Sequence, residues 1–154
     1  MKKIDDTNKK ILRILQGNGS ITNSDLSSRV GLAPATTLER VKKLENAGII
    51  NKYVALVNPE KVGKPIIAFV ELYMKEHSGR TIKQFAEDIS NIPEVLECYH
   101  ISGSQDFLLK VITSDIKSYE SFALEKLSEI PNIGRVNTMF VLSTVKSDTD
   151  IPID

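Results

Sequence analysis

The chain has 154 residues, 41% hydrophobic and 26% charged, with twenty basic and twenty acidic side chains that balance to a net charge of zero. That length makes one domain or two small ones, and the composition is that of a globular protein with no low-complexity tract. No apolar run is long enough for a signal peptide or a membrane span, and the single cysteine, Cys98, excludes an internal disulfide and fits a reducing cytoplasm.

Zero net charge argues against a nucleic-acid partner, but the distribution of charge points the other way. Residues 1–58 hold ten Lys and Arg against five Asp and Glu, a net +5; residues 59–154 hold ten against fifteen, a net −5. A basic third with the sign to meet phosphates is thus joined to an acidic remainder. The break falls at NPEKVGKP, Asn58 to Pro65, where two prolines and a glycine interrupt the periodicity. The expected domains are residues 1–58, a hinge over 59–65, and residues 66–154.

In chain order, Ile4 to Gln16 reads as a helix with Asp5 and Asp6 at its positive end, stopped by Gly17 and Gly19. Thr22-Asn23-Ser24-Asp25 is a capping box that opens a second helix, and Gly31 ends it. Gly31 to Ile50, GLAPATTLERVKKLENAGII, holds the third. Pro34 suits its first position, Gly48 the left-handed position past its end, and Ala35, Leu38, Val41 and Leu44 form a drifting apolar stripe. At about 100° per residue, Thr36, Arg40 and Lys43 fall together on the opposite side. Two short helices joined at Gly31, the second with a polar outer face, make a helix-turn-helix. A protein-binding three-helix bundle would have the same helices; the basic asymmetry and the polar face favour DNA. Thr36, Thr37 and Arg40 would then reach bases, and Lys42, Lys43 and Lys52 phosphates. Ile49 to Val57 is β-branched and aromatic enough for a strand or wing.

In the acidic remainder, Ile66 to Lys75 reads as a strand, Thr81 to Ser90 as a helix, and Val95 to Ile101 and Phe107 to Thr113 as strands. A helix over Ser114 to Ile130 and a last strand over Val136 to Val145 follow. The order βαββαβ is a ferredoxin-like α+β sandwich. The first strand is apolar on both faces, with Ala68, Val70, Leu72 and Met74 on one and Ile67, Phe69 and Tyr73 on the other. One face therefore needs cover from outside the chain, and a second copy would supply both that cover and a second recognition helix. Ser102-Gly103-Ser104-Gln105-Asp106 is a polar turn between apolar strands in which Asp106 could accept from a ligand's ammonium group. A hairpin loop needs the same residues for its own geometry, and the residues alone favour that plainer reading. Cys98 reads as a small buried hydrophobe. His77 and His100 lack partners at metal spacing, and no phosphate loop, dinucleotide fingerprint or nucleophile motif is present, so neither an enzyme, a metal nor a cofactor is expected.

Taken together, D-x-x-x-x-x-I-L-x-x-L-Q from Asp5 to Gln16, LAPATTLERVKKLENAGII from Leu32 to Ile50, ALVNP from Ala55 to Pro59 and ECYHISGSQDFLLK from Glu97 to Lys110 resemble the leucine-responsive and asparagine-operon regulator (Lrp/AsnC) family over nearly the whole chain. The resemblance implies a cytoplasmic transcription regulator, with a winged helix-turn-helix joined to a ligand-sensing βαββαβ domain. It also implies dimers through the sheets, often assembled as tetramers of dimers, and an effector, usually an amino acid, between dimers. It makes Gly103, Ser104, Gln105 and Asp106 candidate effector contacts, with Ser102 and Thr144 weaker ones, and Thr36, Thr37, Arg40 and Lys43 candidate contacts to double-stranded DNA. Ala33 departs from the serine that caps the recognition helix in many members, a loss of about 1 kcal/mol. Two other functions share these features. An architectural, weakly specific DNA-binding protein would use the same helix without an effector, and a metabolite-binding module that has lost DNA binding would keep the turn at Gly103 but not depend on Arg40.

Overall fold

The computed structural model describes residues 4–154; Met1 to Lys3, which the expected first domain includes, lie outside them. Two compact units emerge, Met1–Leu56 with Lys146–Asp154, and Val57–Val145. The last nine residues thus join the first unit rather than the sensing domain expected to run to Asp154, for reasons visible in their contacts.

In the first unit, α1 spans Asp6–Gly17, α2 Asn23–Val30 and α3 Pro34–Asn46. Asp5 caps α1 by accepting from Asn8 N–H at 2.7 Å, and Thr22 caps α2 by accepting from Asp25 N–H at 3.1 Å. Gly31 and Gly48 take the left-handed φ values of 83° and 67° that end α2 and α3. Ile11, Leu12, Leu26 and Leu44 form the buried centre, with Val41, Ile50 and Ile153 against it. Ile153 is held there by backbone capture of the tail. The Gln16 amide donates to Ile151 C=O at 3.0 Å and accepts from Ile151 N–H at 2.7 Å, and the Arg13 guanidinium donates to Ile153 C=O. The tail brings Lys146 but also Asp148, Asp150 and Asp154, so the unit's net charge is +3 rather than +5.

The strand expected over Ile49 to Val57 does not form. A strand needs a neighbour to take its N–H and C=O groups, and this segment has none among the described residues. Val54 and Leu56 are left 63% and 74% exposed. Tyr53 is anchored by donating to Glu45 Oε1 at 3.0 Å; its partial burial, with that hydrogen bond, pushes the phenol up to about 12.

The second unit runs β1 (Ile66–Met74), α4 (Gly79–Ser90), β2 (Val95–His100), β3 (Phe107–Thr113), α5 (Ile116–Ser121) and β4 (Ile133–Phe140). All neighbours in its sheet are antiparallel, in the order β2-β3-β1-β4 of the ferredoxin-like sandwich. Ala68, Val70, Leu72 and Met74 of β1 and Phe107, Leu109 and Val111 of β3 point to the helices, where Phe85, Ile89, Tyr119, Phe122, Leu127 and Ile130 close the core. Each fully buried aromatic or aliphatic side chain here contributes about 1.5–3 kcal/mol.

Three expectations are corrected. The helix over Ser114 to Ile130 is α-helical only to Ser121; Phe122–Leu127 continues as one π-helical stretch. The wider turn lets Phe122 and Leu127, five residues apart, both reach the core. The last strand begins and ends earlier than Val136 to Val145, because its partner β1 runs out at Ile66; beyond it Leu142 and Val145 are 98% and 97% exposed. Cys98 lies on the edge strand β2 and is exposed rather than buried, although partial desolvation still pushes its thiol up.

Candidate DNA interface and ligand basin

The outer face of α3 is set by which side packs inward. Thr37 and Leu44 are buried and Val41 half-buried, an i, i+4, i+7 stripe. The stripe drawn through Ala35 and Leu38 is therefore right only in its second half. Thr37 can occupy a core position because its hydroxyl donates to Ala33 C=O at 3.2 Å, leaving no orphan polar atom. That removes Thr37 from the base-contacting set: it is 0% exposed.

Arg40 is also relocated. Its guanidinium sits on the shoulder of α3 and donates to Asp5 Oδ2 at 2.8 Å and Asn8 Oδ1 at 3.0 Å, tying α3 to the start of α1. The Arg40 hydrogen bond and the Asn8 N–H hold the Asp5 carboxyl below its usual range. What faces outward instead is Ala35, Thr36, Leu38, Glu39, Lys42 and Lys43, all exposed. Lys43 pairs with Glu39 at 2.6 Å, an exposed i, i+4 contact that a phosphate can displace, whereas Lys42 makes no ion pair among the described residues. Lys52 is exposed on the segment after α3. The first turn of α3 carries no side-chain cap, since Ala33 has no side-chain acceptor to offer. Asn23 donates to Pro34 C=O at 3.0 Å and fixes the turn between α2 and α3. Leu38, 44% exposed on the outward face, escapes a reading by pattern because an apolar residue in an amphipathic helix reads as core.

The residues expected to meet an effector divide. Ser104 and Gln105 line a cavity of about 190 Å³ with Glu71, Tyr73, Arg135 and Asn137; Ser102, Gly103, Asp106 and Thr144 do not line it. Asp106 is engaged elsewhere. Its Oδ2 accepts from Met74 N–H at 2.7 Å, its Oδ1 lies 3.0 Å from His77 Nδ1, and its own N–H donates to Leu72 C=O at 2.9 Å. It pins the turn to the end of β1. Gly103 has a φ of 138°, which only glycine adopts readily, so its glycine is needed by the turn itself.

The other four lining residues come from the sheet's open face. The ladder sets Glu71 against Asn137 and Tyr73 against Arg135, and Asn137 donates to Glu71 Oε2 at 2.8 Å. A bulge follows between Tyr73 and Met74, and Gly134 lies against it: a Cβ there would stand 3.1 Å from Lys75 Cγ and 3.2 Å from Tyr73 O. Sequence periodicity misses Arg135 because it starts the last strand at Val136, and it gives no reason to single out Asn137; Glu71, a lone charge within an otherwise apolar strand, is the available signal. Among the described residues no group of three or more His, Cys, Asp or Glu could hold a metal ion, and no helix is long and apolar enough to cross a membrane.

Comparison with known proteins fits both units. Residues 4–51 match the winged helix-turn-helix DNA-binding family and residues 67–151 the Lrp/AsnC ligand binding domain. The chain is 40% identical over 151 residues to the transcriptional regulator AzlB of Bacillus subtilis, covering 98% of this chain and 96% of that one. It is 37% identical over 151 residues to the leucine-responsive regulatory protein of Rhizobium meliloti, covering 98% and 97%. The crystal structure of a transcriptional regulator from Neisseria meningitidis in complex with L-Met superposes with a TM-score of 0.92 at 36% identity over 97% of each chain. With a helix-turn-helix whose recognition face is open and a ferredoxin-like sensing unit, the chain belongs to the Lrp/AsnC family of DNA-binding transcription regulators.

Proposed function

We propose that this regulator binds specific DNA sites in the cytoplasm as a homodimer or a tetramer of dimers, and that an amino acid bound to the second unit, between dimers, adjusts that binding. No catalytic step is part of this reading. The observation that carries the DNA half is the outward face of α3, where Thr36, Leu38 and Lys42 stand clear of the core on a unit of net positive charge. In this reading Thr36 and Leu38 meet base edges, Leu38 against a thymine methyl, and Lys42, Lys43 and Lys52 meet phosphates. Arg40 acts at one remove, by holding α3 against α1. Support for the effector half comes from the relative solved with L-Met and from the polar turn over residues 102–106, where Ser102, Gly103, Ser104, Gln105 and Asp106, with Thr144, remain the candidate neighbourhood. The oligomer is supported by two uncovered features: the apolar open face of the sheet, with Tyr73 and Met139 more than 40% exposed, and the unpaired segment at Val54 and Leu56. A coupling of about 1–3 kcal/mol between effector and DNA would change DNA affinity roughly 5- to 150-fold.

The test is selection of bound duplexes from a random pool, followed by gel retardation of the winners across a salt series. Enrichment of a two-part site, its halves about one helical turn apart, is expected. Lys42→Ala should weaken all duplexes alike and lower the salt slope by about 1, while Leu38→Ala should cost about 1–3 kcal/mol at the selected site only. A pool with no enriched sequence, bound as tightly as any other DNA, would refute sequence-specific regulation and favour an architectural role.

A further inference from the structure

The open face of the sheet carries a charge pattern that the folding of one chain does not require. Each strand holds a single Asp, Glu, Lys or Arg: Glu97 in β2, Lys110 in β3, Glu71 in β1 and Arg135 in β4. Lys110 and Glu71 alternate with helix-facing residues, and Glu97 and Arg135 are ladder partners of Lys110 and Tyr73, so all four share the open face. In the spatial order β2-β3-β1-β4 their signs run minus, plus, minus, plus, along an oblique row. Glu97 and Lys110 pair at 3.0 Å. Lys110 and Glu71, and then Glu71 and Arg135, are diagonal neighbours whose backbones lie roughly 7–8 Å apart. Neither Glu71 nor Arg135 makes an ion pair among the described residues. Glu71 Oε2 accepts from Asn137, and its second oxygen has no hydrogen-bond partner among the described residues. Around the row lie Phe69, Tyr73, Leu108, Ile112 and Met139, the apolar ground of the same face.

A row of alternating sign and even length becomes its own opposite when reversed. A two-fold axis crossing the row between Lys110 and Glu71 reverses it. That axis sets Glu97 against the partner's Arg135 and Lys110 against the partner's Glu71, each contact occurring twice. An axis running along the row sets every charge against its own copy, giving four like-charge contacts in a desolvated interface. We propose that this alternating row is the code by which the sheet face recognises a second copy of this chain, fixing the orientation of the dimer and rejecting partners whose row reads otherwise. The proposal rests on the homodimer reading above and deepens it, since apolar contact supplies adhesion without direction. The row also fits the way sheets pack. From Glu97 to Arg135 it crosses three strand spacings and climbs four residues, from the level of Phe69 to that of Tyr73. At about 4.8 Å per strand and about 3.4 Å per residue, it lies at about 45° to the strands. Reversal then crosses the two sets of strands at about 90°, one of the two favoured angles for sheets packed face to face. The hollow of about 190 Å³ lined by Glu71 and Arg135 gives the partner's Lys110 room to reach the second Glu71 oxygen.

The experiment measures the dimer dissociation constant of the full chain by sedimentation across a dilution series, for wild type and charge-reversed variants. Glu97 and Arg135 stand on the two edge strands of one sheet, at least about 14 Å apart, so any coupling between them passes between copies. Arg135→Glu and Glu97→Lys should each raise the constant by about 100-fold or more, because each homodimer then holds two like-charge contacts. Mixed together, the two variants should form a heterodimer as tight as the wild-type dimer, since both of its contacts are again of opposite sign. The double variant should dimerise with itself and not with wild type. Arg135 is exposed and makes no ion pair among the described residues, so its replacement leaves the fold intact. Where Glu97→Lys melts early by crowding Lys110, Glu97→Gln replaces it in the Arg135→Glu background and should recover about tenfold in affinity. Single variants that dimerise as wild type does, or a mixture no tighter than either variant alone, would overturn the charge code and leave the homodimer standing. Wild type that stays monomeric at micromolar concentration would remove the homodimer, and the code with it.

Discussion

Asp106 sits at the crossing of two explanations, ligand contact and structural pin, and its replacement separates them. Met74 is 0% exposed, and its N–H donates to Asp106 Oδ2 at 2.7 Å in a part-buried setting. Asp106→Ala leaves that N–H buried without a partner, at a cost of about 1–3 kcal/mol. The contact with His77, which is 51% exposed, adds little. Asp106→Asn keeps an oxygen for Met74 and should lose less than about 1 kcal/mol. Because the chain forms two units, a single melting curve does not isolate the second, so the readout must be local. Val70 and Leu109 are 0% exposed in the centre of the sheet, and amide hydrogen exchange there reports the opening of that unit alone. A loss of about 2 kcal/mol speeds exchange by about 30-fold. The expected order is wild type, then Asp106→Asn close behind, then Asp106→Ala faster by about 5- to 150-fold. Exchange in Asp106→Ala within about threefold of wild type would refute the pin. Loss of amino-acid binding in Asp106→Asn with unchanged exchange would restore Asp106 as a ligand contact.

Two further outcomes follow from contacts elsewhere in the fold. Glu97 accepts from Tyr99 O–H at 2.7 Å and from Lys110 at 3.0 Å, which together hold its carboxyl below the usual glutamate range. A depressed folded pKa means the unfolded chain binds more protons between the two values, so this stabilisation is present above the unfolded glutamate pKa and is lost as pH falls through the folded one; carboxyl NMR should show Glu97 titrating late on acidification, and Tyr99→Phe should move it back up. Truncation after Val145 removes Ile153 from the first core and the partners of Arg13 and Gln16, and should destabilise that unit by about 1–2 kcal/mol, read as faster exchange at Ile11 and Leu12 with Val70 unaffected; equal exchange in both proteins would mean the tail contributes nothing.

Where sequence reading succeeded, a local signal and the global packing agreed. Thr22 and Asp25 close α2 because the capping bond needs only those residues at that spacing, and Gly31 and Gly48 end their helices because only a left-handed φ can. The alternation along β1 placed Ala68, Val70, Leu72 and Met74 on one face with no knowledge of what covers them. The failures share a different cause, in that each depended on a partner distant in sequence. Whether Ile49 to Val57 pairs depends on a neighbouring strand, and none lies beside it among the described residues. Where β4 ends depends on the length of β1.

The functional residues show why a face is harder to read than an element. On α3 the side that turns inward is decided by α1 and α2, and a threonine that can return its hydroxyl to Ala33 C=O competes with leucine for the core. Thr37 therefore goes in and Leu38 goes out, a rotation that hydrophobicity alone cannot anticipate because the two residues differ in the wrong direction. Arg40 had the chemistry to take guanine, but Asp5, thirty-five residues earlier, offered it a carboxylate first. The basin follows the same rule in reverse. Glu71, Tyr73, Arg135 and Asn137 have no shared motif; antiparallel register assembles them, and that register is set by the core residues on the opposite face. A family motif can mark the turn at Gly103 because the turn is contiguous in sequence. The residues that line the cavity are not, and a change of one residue in strand register would turn Arg135 into the core and dismantle that lining.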